Sequence, residues 1–277
     1  MKTVNVRDLA ISNDAPLTLI AGPCQLESAD HAQMIAGTLA EACAKAGVQY
    51  IFKGSYDKAN RTSLNAPPPL GMEKGLAVLQ GVRDAIGCPV ITDVHAEDHC
   101  APVAEVVDVI QIPAFLCRQT ALLLAAGRTG AAINIKKGQF LAPWDMANVV
   151  AKVESTGNHK MLLTERGASF GYNNLVVDMT GLPEMAKTGY PVVMDATHAV
   201  AKPGGLGSAS GGQRELAPVL ARAAVSLGIA AVFAETHQDP DTAPCDGPNM
   251  IYLKDMPDLI ATLAQFDALA KSKPIKL

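Results

Sequence analysis

LTLIAGPC, residues 17–24, is a short apolar run stopped by Gly-Pro and closed by a cysteine. An unbroken apolar run of this length reads as a strand buried on both faces, as parallel sheets require. Seven runs of the same kind follow: VQYIFK (48–53), PVITDVH (89–95), DVIQ (108–111), AAINIK (131–136), KMLLTER (160–166), PVVMDATH (191–198) and AAVFAE (230–235). Between them, helical periodicity covers about 28–46, 71–86, 97–106, 117–127, 144–156, 174–188, 212–227 and 256–271. Eightfold alternation of strand and helix predicts an α/β fold, a single (β/α)8 barrel of the TIM type spanning residues 1–277. Such barrels place their chemistry at the C-terminal strand ends. Here those ends carry Cys24, Lys53, Asp93, His95, Gln111, Lys136, Arg166, His198 and Glu235.

Residues 1–16 precede the first run, and the alternation Thr3-Val4-Asn5-Val6 followed by Ser12-Asn13-Asp14 predicts a small hairpin closing one end of the barrel. Pro143 and Pro257 suit helix starts, Ser28 suits an N-cap, and Gly47, Gly87, Gly157 and Gly228 sit where helices should stop. Two loops, 54–70 and 199–212, exceed what a bare barrel needs, and both would hang over the C-terminal face.

The 277 residues are 49% apolar and 18% charged, with a net charge of −4. That balance argues against nucleic acid or an anionic membrane as partner. The N-terminus lacks a secretory h-region, and no apolar run reaches the roughly 18 residues of a membrane span. Six cysteines without a C-x-x-C pair read as reduced thiols, so the expected location is cytoplasmic.

Two constellations carry chemistry. Lys53, Lys58, Arg61, Lys136, Lys137 and Arg166 concentrate positive charge at one mouth of an acidic protein, which suits anionic substrates. Cys24, His198, Glu235 and Asp246 fall on strands 1, 7 and 8 or just beyond, which barrel closure makes neighbours. Thiolate, imidazole and carboxylates suit zinc, iron or manganese. The plainer alternative is a buried cysteine, a satisfied histidine and two surface acids. The glycine stretch 204–212 departs from both the dinucleotide and phosphate-loop patterns and reads better as a mobile lid. His31, His99 and His159 read as surface residues, and nothing marks a role for His237 or His95.

The segments LIAGPC (19–24), FKGSYDKANRTS (52–63), TDVH (92–95), QIPAFLCRQT (111–120), NIKKGQF (134–140), TERG (164–167), DATHAV (195–200), AETH (234–237) and CDGPNM (245–250) cover almost the whole chain. In these the chain resembles the 3-deoxy-D-manno-octulosonate 8-phosphate synthases, also called 2-dehydro-3-deoxyphosphooctonate aldolases. The resemblance implies condensation of phosphoenolpyruvate with D-arabinose 5-phosphate and water on a (β/α)8 barrel. It implies the octulosonate phosphate for lipopolysaccharide biosynthesis and inorganic phosphate as products, and an assembly that in the family is usually a homotetramer. It assigns Lys53, Lys58, Gln111, Lys136 and Arg166 to phosphoenolpyruvate and Asn60, Arg61 and Ser63 to arabinose 5-phosphate. Lys58, Asp93, Lys136 and His198 stand as the catalytic candidates. Cys24 stands where metal-independent members carry asparagine, so the resemblance implies a divalent metal ion on Cys24, His198, Glu235 and Asp246.

Related enzymes take erythrose 4-phosphate and make 3-deoxy-D-arabino-heptulosonate 7-phosphate. Their Lys-Pro-Arg-Thr is replaced here by Lys58-Ala-Asn-Arg61-Thr. A Schiff-base aldolase on this fold would need a lysine ending the sixth run, which ends Thr164-Glu165-Arg166 instead. A non-catalytic sugar-phosphate sensor would not need the Cys/His/Glu/Asp set.

Overall fold

The computed structural model describes residues 1–60, 68–205 and 211–275. Among these, eight parallel strands close into a barrel: β1 Thr18–Gly22, β2 Gln49–Lys53, β3 Val90–Asp93, β4 Val109–Ile112, β5 Ala132–Lys136, β6 Met161–Glu165, β7 Val192–Asp195 and β8 Ala231–His237. Each strand pairs with the next, and β8 closes the ring through the registers Val193↔Ala231 to β7 and Ile20↔Phe233 to β1. All eight expected strands are present within two residues of their runs, except that the seventh stops three residues early, at Asp195.

Side chains alternate inward and outward along each strand. Ile20, Ile51, Ile91, Val109, Ala132, Leu162, Val193 and Phe233 form one apolar layer inside the barrel. The N-terminal hairpin, Val4–Val6 against Leu9–Ile11, adds Val4, Val6 and Ile11 to that layer and plugs the lower end. Two residues farther along each strand, and therefore again inside, come Gly22, Lys53, Asp93, Gln111, Asn134, Thr164, Asp195 and Glu235. The interior thus changes from apolar floor to polar site within one pleat repeat. The residues of opposite parity, such as Leu19, Ile110, Ile133 and Leu163, face the helices in a second, larger cluster.

The helices are α1 Ala29–Ala46, α2 Met72–Ile86, α3 Cys100–Ala104, α4 Thr120–Arg128, α5 Met146–Glu154, α6 Gly181–Ala186, α7 Ala217–Val225 and α8 Met256–Ser272. Ser28 caps α1 by accepting from the His31 backbone N–H, and Gly47 ends it in the left-handed conformation at φ 68°. The expected helix over 174–188 shrinks to α6. Asn173 and Gly171 both take positive φ, and the turn they make pairs Leu175–Val176 with Ala168–Ser169 as a small hairpin. Likewise Gly211–Gly212 pairs with Ala201–Lys202 instead of starting α7. The 97–106 segment is a 3-10 turn followed by the short α3.

Gly22 admits no side chain, because a Cβ there would lie 1.9 Å from the Lys53 carbonyl oxygen on β2. Gly22→Ala is expected to cost about 1–3 kcal/mol or more, since the obstacle is backbone in the neighbouring strand. A melting temperature unchanged from the parent's would refute that account.

Candidate active site

The polar layer opens into a cavity of about 280 Å³ at the C-terminal end of the barrel. Its lining includes Lys53, Lys58, Asn60, Asp93, Gln111, Lys136, Arg166, His198 and Glu235, all named from sequence. It also includes Ser55, His95 and Gln139, to which no role was given. Arg61 and Ser63 lie outside the described residues, as does part of the glycine stretch.

A chain of side-chain hydrogen bonds crosses the cavity floor. Thr164 Oγ1 donates to Asn134 Oδ1 at 2.6 Å, and Asn134 Nδ2 to Gln111 Oε1 at 2.8 Å. Gln111 Nε2 then donates to Asp93 Oδ1, and Ser55 Oγ to Asp93 Oδ2. Burial alone would hold Asp93 protonated, but Lys53 and Lys136 overcome it and keep the carboxyl ionised, well below its usual range. The Asp93 carboxylate therefore has fixed orientation and charge before any ligand arrives.

The cationic mouth is mostly charge-paired. Lys53 Nζ contacts Glu235 Oε1 at 2.7 Å and donates to the Cys24 carbonyl at 2.7 Å. Lys136 Nζ lies 2.6 Å from Asp195 Oδ2 and 3.7 Å from the centre of the Phe233 ring. Lys58 Nζ lies 2.5 Å from Asp246 Oδ2 and 3.3 Å from Cys24 Sγ. Arg166 differs: its Nη1 is buried and has no hydrogen-bond partner among the described residues. Burial lowers the pKa of its guanidinium, the mark of a cation held in a desolvated place.

Lys137 does not belong to the mouth. One residue after Lys136, it has the opposite parity, points outside the barrel, lies 3.5 Å from Glu165 Oε2 and donates to the Leu141 carbonyl at 3.0 Å. Glu165 in turn accepts the backbone N–H groups of Arg166 and Gly167, which fixes the turn carrying Arg166.

Asp195 is the organising residue that the sequence reading missed. It is fully buried and N-caps the single helical turn Ala196–Ala199, its Oδ1 accepting the His198 backbone N–H at 2.9 Å. Its Oδ2 lies 2.8 Å from His198 Nδ1, an ion-pair contact rather than an aligned hydrogen bond, as well as beside Lys136. A carboxylate against Nδ1 leaves Nε2 to face the site, the arrangement common behind metal-binding histidines. Asp-x-x-His at a strand end was the available signal, a cap and an imidazole clamp in one.

Three of the four metal candidates converge, and the fourth, His198, adjoins two of them. Ligand atoms of Cys24, Glu235 and Asp246 lie within 4.8 Å of one another. His198 Nε2 is 3.7 Å from both Glu235 Oε2 and Asp246 Oδ2. Glu235 Oε2 is buried with no hydrogen-bond partner among the described residues, an acceptor oriented toward the same point. A hydrogen bond with Cys245 and then burial push the Cys24 thiol well above its usual value. The donor set and the orphaned carboxylate oxygen fit a divalent ion of borderline softness.

A second group, Glu27, His31 and His237, has similar spacing but different chemistry. The Asp239 backbone N–H donates to His237 Nδ1, so His237 Nε2 carries the proton and donates to Glu27 Oε1 at 2.8 Å. His31 Nε2 pairs with Gln238 Oε1 at 2.7 Å. These residues tie α1 to β8. His31 is therefore not a surface residue, its side chain being only 10% exposed, and His99 is also held, its Nδ1 2.9 Å from the Tyr56 hydroxyl. His159 alone of the three is largely exposed.

A family model described as the DAHP synthetase I family matches residues 2–272. A protein of Granulibacter bethesdensis named 2-dehydro-3-deoxyphosphooctonate aldolase is 59% identical over 271 residues, 98% of this chain and 96% of its own length. Proteins of the same name from Rhodopseudomonas palustris and Brucella ovis are 59% and 58% identical, over 96% and 98% of this chain and 93% and 98% of their own lengths. Matched by that model from end to end of the barrel and by relatives at this level, the chain belongs to the DAHP synthetase I family.

Proposed function

We propose that this chain is a transferase condensing phosphoenolpyruvate with D-arabinose 5-phosphate and water to give 3-deoxy-D-manno-octulosonate 8-phosphate and inorganic phosphate, for lipopolysaccharide biosynthesis. The observation that carries the reading is the buried Arg166, its Nη1 without a hydrogen-bond partner among the described residues, beside Lys136 in the cavity. The carboxylates of Asp195, Asp246, Glu165 and Glu235 attract the guanidinium but do not fill the donor site at Nη1. A buried donor left unpaired is costly, and an anionic substrate supplies its partner. The relatives' shared name, a phosphooctonate aldolase, agrees with this product.

In this reading Arg166, Lys136, Lys58 and Lys53 hold the phosphate and carboxylate of phosphoenolpyruvate, with Gln111 beneath. Asn60, Arg61 and Ser63 hold the distal phosphate of the sugar. C3 of phosphoenolpyruvate forms the new bond to the aldehyde carbon, and the aldehyde oxygen takes up a proton. Water adds at C2 and loses its proton, and the C2–O bond breaks to release phosphate. Clamping two mutually repelling anions at attack distance is the first contribution of the cavity. Asp93, ionised and held by Gln111 and Ser55, is placed to accept a hydrogen bond from a hydroxyl or from the attacking water. A zinc, iron or manganese ion on Cys24, His198, Glu235 and Asp246 would polarise the aldehyde and orient it. Lys53 and Lys58 do not suit a Schiff base, which requires a neutral amine. Although burial opposes it, Glu235 raises the pKa of Lys53 and Asp246 that of Lys58.

Exposed Phe115, Phe140, Trp144, Phe170 and Tyr172, on successive loops after β4, β5 and β6, support assembly into a homotetramer. Six free cysteines support a reducing, cytoplasmic setting, and no helix among the described residues is long and apolar enough to cross a membrane.

Phosphate release from phosphoenolpyruvate with each aldose phosphate tests the reading. Arabinose 5-phosphate is expected to exceed erythrose 4-phosphate in kcat/KM by about 10²-fold or more, because one acceptor fills the sugar subsite and the other leaves polar groups unpaired. The opposite preference would assign the heptulosonate activity, and no release with either would refute a synthase.

A further inference from the structure

We propose that Lys58 and the divalent ion are alternative cations for the Cys24–Asp246 pair, so that metal uptake sends the Lys58 ammonium into the substrate cavity and phosphoenolpyruvate in turn favours metal uptake. The inference rests on the metal set of the preceding section and adds a coupling between metal and substrate.

Lys58 Nζ touches Asp246 Oδ2 and Cys24 Sγ, two of the three converging ligand atoms. An ammonium donates into the same lone pairs that a metal ion needs, and two cations in one desolvated place repel. One of them has to leave. The other mouth lysines are not the ones displaced. Lys53 is 2% exposed and uses Glu235 Oε1 and a backbone carbonyl, while the metal-facing oxygen, Glu235 Oε2, stays free of it. Lys136 is held by Asp195 and the Phe233 ring, away from the ligand atoms.

Lys58 has somewhere to go. It lies on the loop after β2, its side chain is 18% exposed, and it already lines the cavity with Lys136 and Arg166. Its flexible stem lets the ammonium exchange one oxyanion for another, the Asp246 carboxylate for a substrate phosphate or carboxylate. With the metal on Cys24 and Asp246, the Lys58 ammonium is released to the cavity it already lines. Linkage then makes the effect reciprocal: whatever factor metal adds to phosphoenolpyruvate affinity, phosphoenolpyruvate adds to metal affinity.

The test is equilibrium zinc binding to chelator-stripped full-length protein, by competition with a chromophoric chelator, with and without phosphoenolpyruvate. The parent, Lys58→Met and Lys58→Gln are compared after thermal unfolding shows that each is folded. Both variants are expected to bind zinc about tenfold or more tightly than the parent, as a competing cation is gone. Phosphoenolpyruvate is expected to tighten zinc binding to the parent by about 5-fold or more, and to leave it nearly unchanged in the variants. Zinc affinity equal to or weaker than the parent's in both variants would overturn the inference, as would coupling of undiminished size. A parent that takes up no zinc, or whose uptake survives Cys24→Asn, would instead refute the metal set itself and the inference with it.

Discussion

Arg166→Leu is expected to lower kcat/KM for phosphoenolpyruvate by about 10²-fold or more, the scale of a lost buried charge contact of about 2–5 kcal/mol. The melting temperature is expected to stay at or above the parent's. The two halves have one cause. Arg166 Nη1 is buried without a hydrogen-bond partner among the described residues, and burial outweighs the attraction of Asp195, Asp246, Glu165 and Glu235, so removing the guanidinium breaks no internal bond at that atom and relieves a desolvated charge. What is lost is the anion that would complete it. Arg166→Lys keeps the charge without the planar fork, and activity between parent and Arg166→Leu is expected. A fall in melting temperature with kcat/KM unchanged would show Arg166 to be structural, and the anion-clamp reading would fail with it.

The barrel was legible because its strands are buried on both faces and read as uninterrupted apolar runs, each stopped by polar residues. The contents of the mouth were legible only as a list. Parity along a strand decides which members share the interior, and this separates Lys136 from Lys137 although they are adjacent in sequence. Applied to β5 and β6, the same period of two also places Asn134 and Thr164 inside, where they join Gln111 and Asp93 in one chain of hydrogen bonds. Pairings between distant segments were not legible. Glu27 and His237 meet across 210 positions, and Lys58 and Asp246 across 188. Nothing local to any of these residues announces its partner. The pairing also changes the meaning of the charges, from a cationic mouth to lysines matched one for one by carboxylates, with Arg166 the exception at Nη1. Helix 174–188 failed for a local reason, the positive-φ turn at Gly171 and Asn173 that starts a hairpin where periodicity suggested a helix.

Asp195→Asn should behave in the opposite way to Arg166→Leu, losing stability and site chemistry together. Asp195 is fully buried and its carboxylate faces two cationic groups, Lys136 at 2.6 Å and His198 at 2.8 Å. Burial opposes its ionisation, but His198 and Lys136 outweigh burial and keep the carboxyl charged, far below the ordinary carboxylate range. An amide of the same shape takes the nearest counter-charge from both groups, and breaking a buried pair in this way costs about 3–5 kcal/mol. For a chain of this size the melting temperature is expected to fall on the order of 6–10 °C. The same substitution releases the Nδ1 side of His198, so Nε2 is no longer held toward Glu235 and Asp246. Zinc affinity is therefore expected to drop about 10–100-fold, the usual effect of removing the carboxylate behind a histidine ligand. The two readouts separate the roles of the residue. Thermal unfolding reports the Lys136 and His198 charges together, whereas chelator competition reports the orientation of His198. A variant that melts lower yet binds zinc like the parent would confine Asp195 to charge neutralisation and remove it from the metal site's support.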